Sequence, residues 1–297
     1  MNAVIRYAHV PTSQITFQTT DFYALADDSI RAKLVPLILK HCEEFYVYPK
    51  NYSIVSGQVA YAIPPRAINM MLRTVQMVSS TDADTRVNLE RLNIEDLYSS
   101  LSGNSRFLIK KSGFYIEGNN VCLYPTPTQN LDILRLNYFI RPGQLVDVST
   151  CAQVQSVNLV ANTITCVSVP STYSTLNTFD IVKAQPGFDY TAIDQTVTNI
   201  TGAVITFSST LPSNISVNDW VCLAGTSCVV QVPVELQPLL TQYVVVRVLS
   251  AQGEKSGLSA AINELEGLEK NAGLLLAPRV QGSIKRVVNS RGINRWV

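Results

Sequence analysis

Gly113-Phe-Tyr-Ile-Glu-Gly-Asn-Asn-Val-Cys-Leu-Tyr-Pro125, then Leu131-Asp-Ile-Leu-Arg-Leu-Asn-Tyr-Phe-Ile-Arg141 and Pro142-Gly143, is the stretch on which the reading of this chain turns. It reads as a β-hairpin and a long strand that continues it, closed by the Pro-Gly pair. Beyond Leu145 the character of the sequence changes, so this hairpin stands where one domain is interrupted by another.

From Val146 to Val230, 85 residues carry six charged groups, five acidic and one basic, and strand formers alternate with Ser, Thr and Asn. The segment also echoes itself. Val157-Asn158, Thr163-Ile164-Thr165, Pro170 and Phe179-Asp180-Ile181-Val182 return as Ile200-Thr201, Val204-Ile205-Thr206, Pro212 and Asn218-Asp219-Trp220-Val221. Each copy would leave an apolar face uncovered, and packing the two together as a small β-barrel or β-sandwich covers both.

Upstream, Asp27-Asp28-Ser29 precedes Ile30, Leu34, Leu37, Ile38, Cys42 and Phe45 at helical spacing. This predicts an amphipathic helix capped at its start and kinked at Pro36. Short apolar runs at Tyr52 to Val55 and Ala60 to Ile63 are followed by a strand pattern from Ala67 to Val78. The mixed-charge stretch Asp82 to Ser99 reads as one or two short surface helices. Downstream, Pro233 suits a first helical turn, and Leu236, Leu240, Tyr243, Val244 and Val248 form a stripe ending at Gly253. A second helix runs from about Gly257 to Leu275, and the short link predicts an antiparallel helical hairpin.

The predicted architecture is α+β. A helical framework domain with a β-hairpin, residues 1–145 and 231–278, is interrupted by an inserted small β-domain, residues 146–230, and followed by an extended C-terminal arm, residues 279–297. Arg141, Pro142 and Gly143 on the way out, with Val232 and Pro233 on the way back, are the hinge positions.

A length of 297 residues suits two modest domains. The charged fraction is 15%, against roughly 25% in an average soluble domain, so part of the surface is expected to be covered in an oligomer. A net charge of +1 gives no bulk pull toward nucleic acid or anionic lipid. The N-terminus lacks a secretory pattern, and the uncharged run Val148 to Phe179 is too rich in polar residues for a membrane helix, so synthesis in the cytoplasm and no membrane contact are expected. Six cysteines, at 42, 122, 151, 166, 222 and 228, show no zinc-site spacing and read as reduced thiols.

Catalytic signals are sparse. His9 and His41 sit in no nucleophile motif, phosphate-loop and dinucleotide patterns are missing, and the acidic pairs Asp82 with Asp84 and Glu43 with Glu44 read as solvated faces. The expectation is a structural protein and not an enzyme, with no cofactor and no metal. The arm does carry a direction: Arg279, Lys285, Arg286, Arg291 and Arg295, without an acid, surround the apolar anchors Ile293 and Trp296. That composition suits a groove on another protein better than DNA phosphates.

Phe114 to Pro127, Leu131 to Leu145 with its Tyr-Phe-Ile-Arg-Pro ending, Val232 to Gly253 and Pro278 to Arg286 together resemble the head-to-tail adaptor, or head-completion, proteins of short-tailed bacteriophages. The likeness covers the framework and not the β-insertion. It implies a virion protein made in the host bacterial cytoplasm and placed at the head-tail junction. About twelve copies would form a ring. The arms would reach the portal protein, the lower face would receive a tail or nozzle protein, and genomic DNA would pass through without specific binding. The alternative is a tail component whose β-domain binds a receptor or carbohydrate, with Tyr173, Tyr190 and Trp220 as stacking residues.

Overall fold

In the computed structural model, which describes residues 2–8, 17–79, 85–93, 112–129, 132–185, 187 and 190–276, the quoted stretch forms β6 (Gly113–Glu117) and β7 (Asn120–Tyr124), paired antiparallel. Gly118 turns between them at φ +56°, a conformation that costs glycine nothing. The long strand β8 (Asp132–Ile140) does not prolong this hairpin. It lies between β1 (Val47–Ser53) and β3 (Ala67–Ser79), with β4 (Arg86–Asn88) at the edge of that sheet.

The hairpin is the centre of a second four-stranded sheet, completed by β2 (Ala60–Ala62) and β5 (Glu90–Arg91). Leu134, Leu136, Tyr138 and Ile140 alternate inward from β8 and share one core with Tyr61, Phe114, Val121 and Leu123 of the other sheet. The part expected to be mainly helical thus carries two packed sheets beside its helices. The short runs at Ala60 and Glu90 are strands because the hairpin's outer edges need backbone partners.

The helices form a separate layer: α1 (Asn2–Tyr7), α2 (Thr19–Ser29), α3 (Val35–His41), α4 (Gln237–Gln252) and α5 (Lys255–Leu275). Phe22, Ile30, Leu34 and Ile38 pack with Leu239, Val244, Val245 and Val248. The N-terminal helix starts earlier than its acidic cluster suggests. Gln18 and Asp21 cap it reciprocally, and Asp27 lies within it, buried and paired with Arg31 at 2.7 Å. Pro36 sits in the first turn of α3, and the turn before it, Ile30–Leu34, is widened to a π-helix in which Val35 N–H donates to the Ile30 carbonyl. A missing proline N–H is accommodated by that widened turn.

The mixed-charge stretch is corrected too: its described residues hold no helix, and residues 86–88 and 90–91 are strands. Leu89 N–H donates to the Val75 carbonyl at 2.9 Å and Leu92 N–H to the Phe114 carbonyl at 2.7 Å, so unpaired edges of both sheets decide its conformation. Asp82, Asp84, Ile94 and Leu97 lie outside the described residues. Gly253, at φ +73°, ends α4 and the chain turns back into α5, where Gln242 Nε2 donates to the Ala261 carbonyl at 2.9 Å.

Six strands close a barrel: β10 (Ala152–Asn158), β11 (Thr163–Cys166), β12 (Thr178–Val182), β13 (Tyr190–Thr201), β14 (Val204–Phe207) and β15 (Trp220–Leu223). Around it the order is β10-β11-β14-β13-β12-β15. Exchanging the first three strands with the last three leaves this order unchanged, the two-fold repetition that the sequence echo predicts. The exchange also swaps two matching bonds, Phe207 N–H to the Asn162 carbonyl and Cys166 N–H to the Ala203 carbonyl. Val154, Ile164, Phe179, Ile181, Ile205 and Val221 fill the interior. Below it β9 (Gln144–Leu145) pairs parallel with β16 (Thr226–Ser227), so the chain's two crossings lie side by side.

Gly113 shows how closely β5 approaches the hairpin. A Cβ there would strike the Glu90 carbonyl and come within 2.9 Å of Leu92 Cγ. Gly113→Ala is expected to lower unfolding free energy by about 1–3 kcal/mol, measured in urea.

Candidate functional site

A buried polar cluster occupies the junction between the sheets and the barrel. Arg66, in the turn before β3, reaches Asp180 of β12 with Nη1 at 2.8 Å, and its Nη2 donates to the Tyr190 hydroxyl at 2.9 Å. The guanidinium also lies over the Tyr190 ring, 5.1 Å from its centroid. Asp180 is fully buried and accepts the backbone N–H groups of Asp194 and Gly225, each at 2.9 Å. The Tyr190 hydroxyl in turn donates a hydrogen bond to Gln231 Oε1 at 2.9 Å, and the same oxygen accepts Gly143 N–H at 2.6 Å.

The crossing residues are built into this cluster. Arg141 N–H donates to the Arg66 carbonyl, while its side chain is exposed. Pro142, Gly143, Val232 and Pro233 are buried. Gly143 has no room for a side chain, since a Cβ would lie 3.0 Å from both the Tyr190 hydroxyl and the Thr226 backbone. Tyr46 OH donates to the Gln231 carbonyl at 3.1 Å, which fastens the returning chain to the segment after α3.

Burial dominates the ionisation of this cluster. It raises the Asp180 pKa, and Arg66 opposes that rise without cancelling it. Burial works against the Arg66 charge, but Asp180, Tyr190 and Asp194 together hold its pKa above the ordinary value. Tyr190 is pushed up to about 12, first by burial. A second buried carboxylate, Asp219, pairs with Lys183 at 3.1 Å and accepts Ser216 N–H at 2.8 Å inside the barrel's own loops.

Other predicted positions are dispersed. Arg279, Lys285, Arg286, Arg291, Ile293, Arg295 and Trp296, the proposed docking arm, lie outside the described residues, as does His9. His41 stands beside Gly273 of α5, and Glu43 and Glu44 both pair with Arg73. Tyr173 is buried against Phe179 and donates to the Val221 carbonyl, Tyr190 is held in the cluster above, and Trp220 packs against the core of the two sheets. These three aromatics therefore serve the barrel and its seat and do not form a stacking platform.

Sequence reading missed Arg66, Asp180 and Gln231 as partners. The available signal was an aspartate set in the apolar run Phe179 to Val182, which requires a buried cation or several donors. It also missed a meeting of Cys151, Cys222 and Cys228, whose Sγ atoms all lie within 4.8 Å of one another. Hydrogen bonds from the other two thiols pull the Cys151 pKa below the ordinary thiol value. Linear spacing carries no trace of that cluster.

The interactions just described hold the chain's own segments to one another. Comparison with known families places the chain among bacteriophage adaptor proteins, structural components of the virion. It belongs to the SU10 adaptor protein family, whose model matches residues 1–178. That range runs past Leu145 into β10 and β11, further than the resemblance read from the sequence, and stops before the helical hairpin. No curated protein matches the chain. Among the described residues, no helix is long and apolar enough to cross a membrane.

Two outcomes follow from the cluster. Arg66→Ala leaves a buried carboxylate unpaired and is expected to cost about 3–5 kcal/mol. Adding Asp180→Asn should recover part of that loss in urea unfolding, because the charge disappears while an acceptor remains. For Tyr190 the folded pKa lies above its unfolded value, so its contribution is complete below about pH 10 and is lost as pH rises toward about 12. Urea midpoints should therefore fall between those values, and Tyr190→Phe should flatten that fall.

Proposed function

We propose that this protein is a ring-forming head-to-tail adaptor of a short-tailed bacteriophage, joining the portal to the tail and continuing the DNA channel. The family match over residues 1–178 carries this reading. In it, residues 1–145 and 231–278 are the framework domain, residues 146–230 are an inserted domain, and residues 279–297 are an arm that docks on the portal. The crossings at Arg141 to Gly143 and Val232 to Pro233 set the attitude of the inserted domain toward a neighbouring subunit or a tail protein.

A ring of about twelve copies is closed by heterologous contacts, so each subunit needs two different complementary faces. Exposed apolar side chains are scattered over the described residues, and two separate groups of them suit this. Val160, 96% exposed, and Leu176, 94%, stand on barrel loops, whereas Leu274 and Leu275 stand at the end of α5 just before the arm. The low charged fraction fits surfaces that become covered, and a net charge of +1 fits a channel that does not grip phosphate.

Electron microscopy of the purified protein with and without portal rings tests the assembly. Rings stacked on the portal are expected, and a monomer that ignores the portal would refute the reading. Deleting residues 279–297 should weaken portal binding at least about tenfold, equivalent to about 1.4 kcal/mol. Unchanged binding would remove the arm from the proposal.

A further inference from the structure

Three cysteines far apart in sequence converge at the base of the barrel. Cys151 stands just ahead of β10, Cys222 lies in β15, and Cys228 follows β16. Cys151 and Cys222 are buried and Cys228 is half-buried. Among the described residues, this is the one group of three or more Cys, His, Asp or Glu side chains whose ligand atoms come this close, all within 4.8 Å. Thiolates bound at about 2.3 Å in tetrahedral directions around Zn²⁺ stand about 3.8 Å apart, so small side-chain adjustments would suffice.

The surroundings also suit sulfur ligands. Thr150 Oγ1 lies 4.0 Å from Cys151 Sγ, placed to donate to it. Outer donors of this kind orient metal-bound thiolates and disperse their charge. With three thiolates, Zn²⁺ leaves one net negative charge where Cu⁺ would leave two, and burial favours the smaller residue of charge.

We propose that Cys151, Cys222 and Cys228 bind one Zn²⁺ ion, with a water in the fourth position on the Cys228 side. Binding releases the thiol protons and involves no redox change. The ion fastens together the chain entering the barrel, a barrel strand and the chain returning from it. It therefore fixes the seat of the barrel independently of Arg66 and Asp180, and the site does not depend on the adaptor reading.

The test uses the full chain purified under reducing conditions without chelator. Elemental analysis should find about one zinc per chain, and Co²⁺ should replace it with a thiolate-to-metal charge-transfer absorption. Cys222→Ser should lower retained zinc to about a tenth or less, while Cys166→Ser should keep it. Because Cys222 is also a core side chain, alkylation of the wild-type protein provides a second readout. Zn²⁺ should protect Cys151, Cys222 and Cys228, and a chelator should expose them. Three results would each overturn the site: folded, reduced protein that takes up neither Zn²⁺ nor Co²⁺, alkylation that a chelator does not change, or a disulfide among these cysteines in protein isolated from a reducing cytoplasm.

Discussion

A fully buried carboxylate must find partners or give up its charge, and in this protein that requirement joins one part of the fold to another. Asp180 belongs to the barrel and Arg66 to the turn that starts a strand of the neighbouring sheet. Neither residue can be moved without the other. The remaining members of the cluster extend the same constraint: Tyr190 reads Arg66 on one side and Gln231 on the other, and Gln231 holds both crossings of the chain. The orientation of the barrel is thereby tied to a few directional bonds and does not rest on apolar contact alone.

The fold has two kinds of surface to offer an assembly. Two packed sheets and a helical layer form the larger part, to which the helical hairpin returns after the barrel. The barrel is a two-fold repeat whose equivalent connections differ in length, residues 159–162 between β10 and β11 against residues 202–203 between β13 and β14. The family match extends through β10 and β11 of this repeat, so these two strands are part of what the family model covers.

Much of this was legible in the sequence because local patterns carried it. Alternation marked the hairpin and the strands β3 and β8, three-and-four spacing marked α4 and α5, and the Thr-Ile-Thr and Val-Ile-Thr echo marked the repeat. What escaped was decided by distant partners. Residues 86–91 resemble a charged helix until two sheet edges claim their backbone. Asp27 looks like a cap until Arg31 and the Leu145 N–H take its carboxylate. The cysteine cluster and the Arg66 network join residues dozens of positions apart, and one sequence does not encode such pairings in any local period.

The parallel pairing of β9 with β16 has a mechanical meaning. β9 continues into the barrel from its C-terminal end, whereas β16 is joined to the barrel through its N-terminal end. A force that draws the barrel away from the sheets therefore tugs on opposite ends of this short ladder. Because the two crossings are bonded to each other as well as to the barrel, a displacement of one is passed directly to the other.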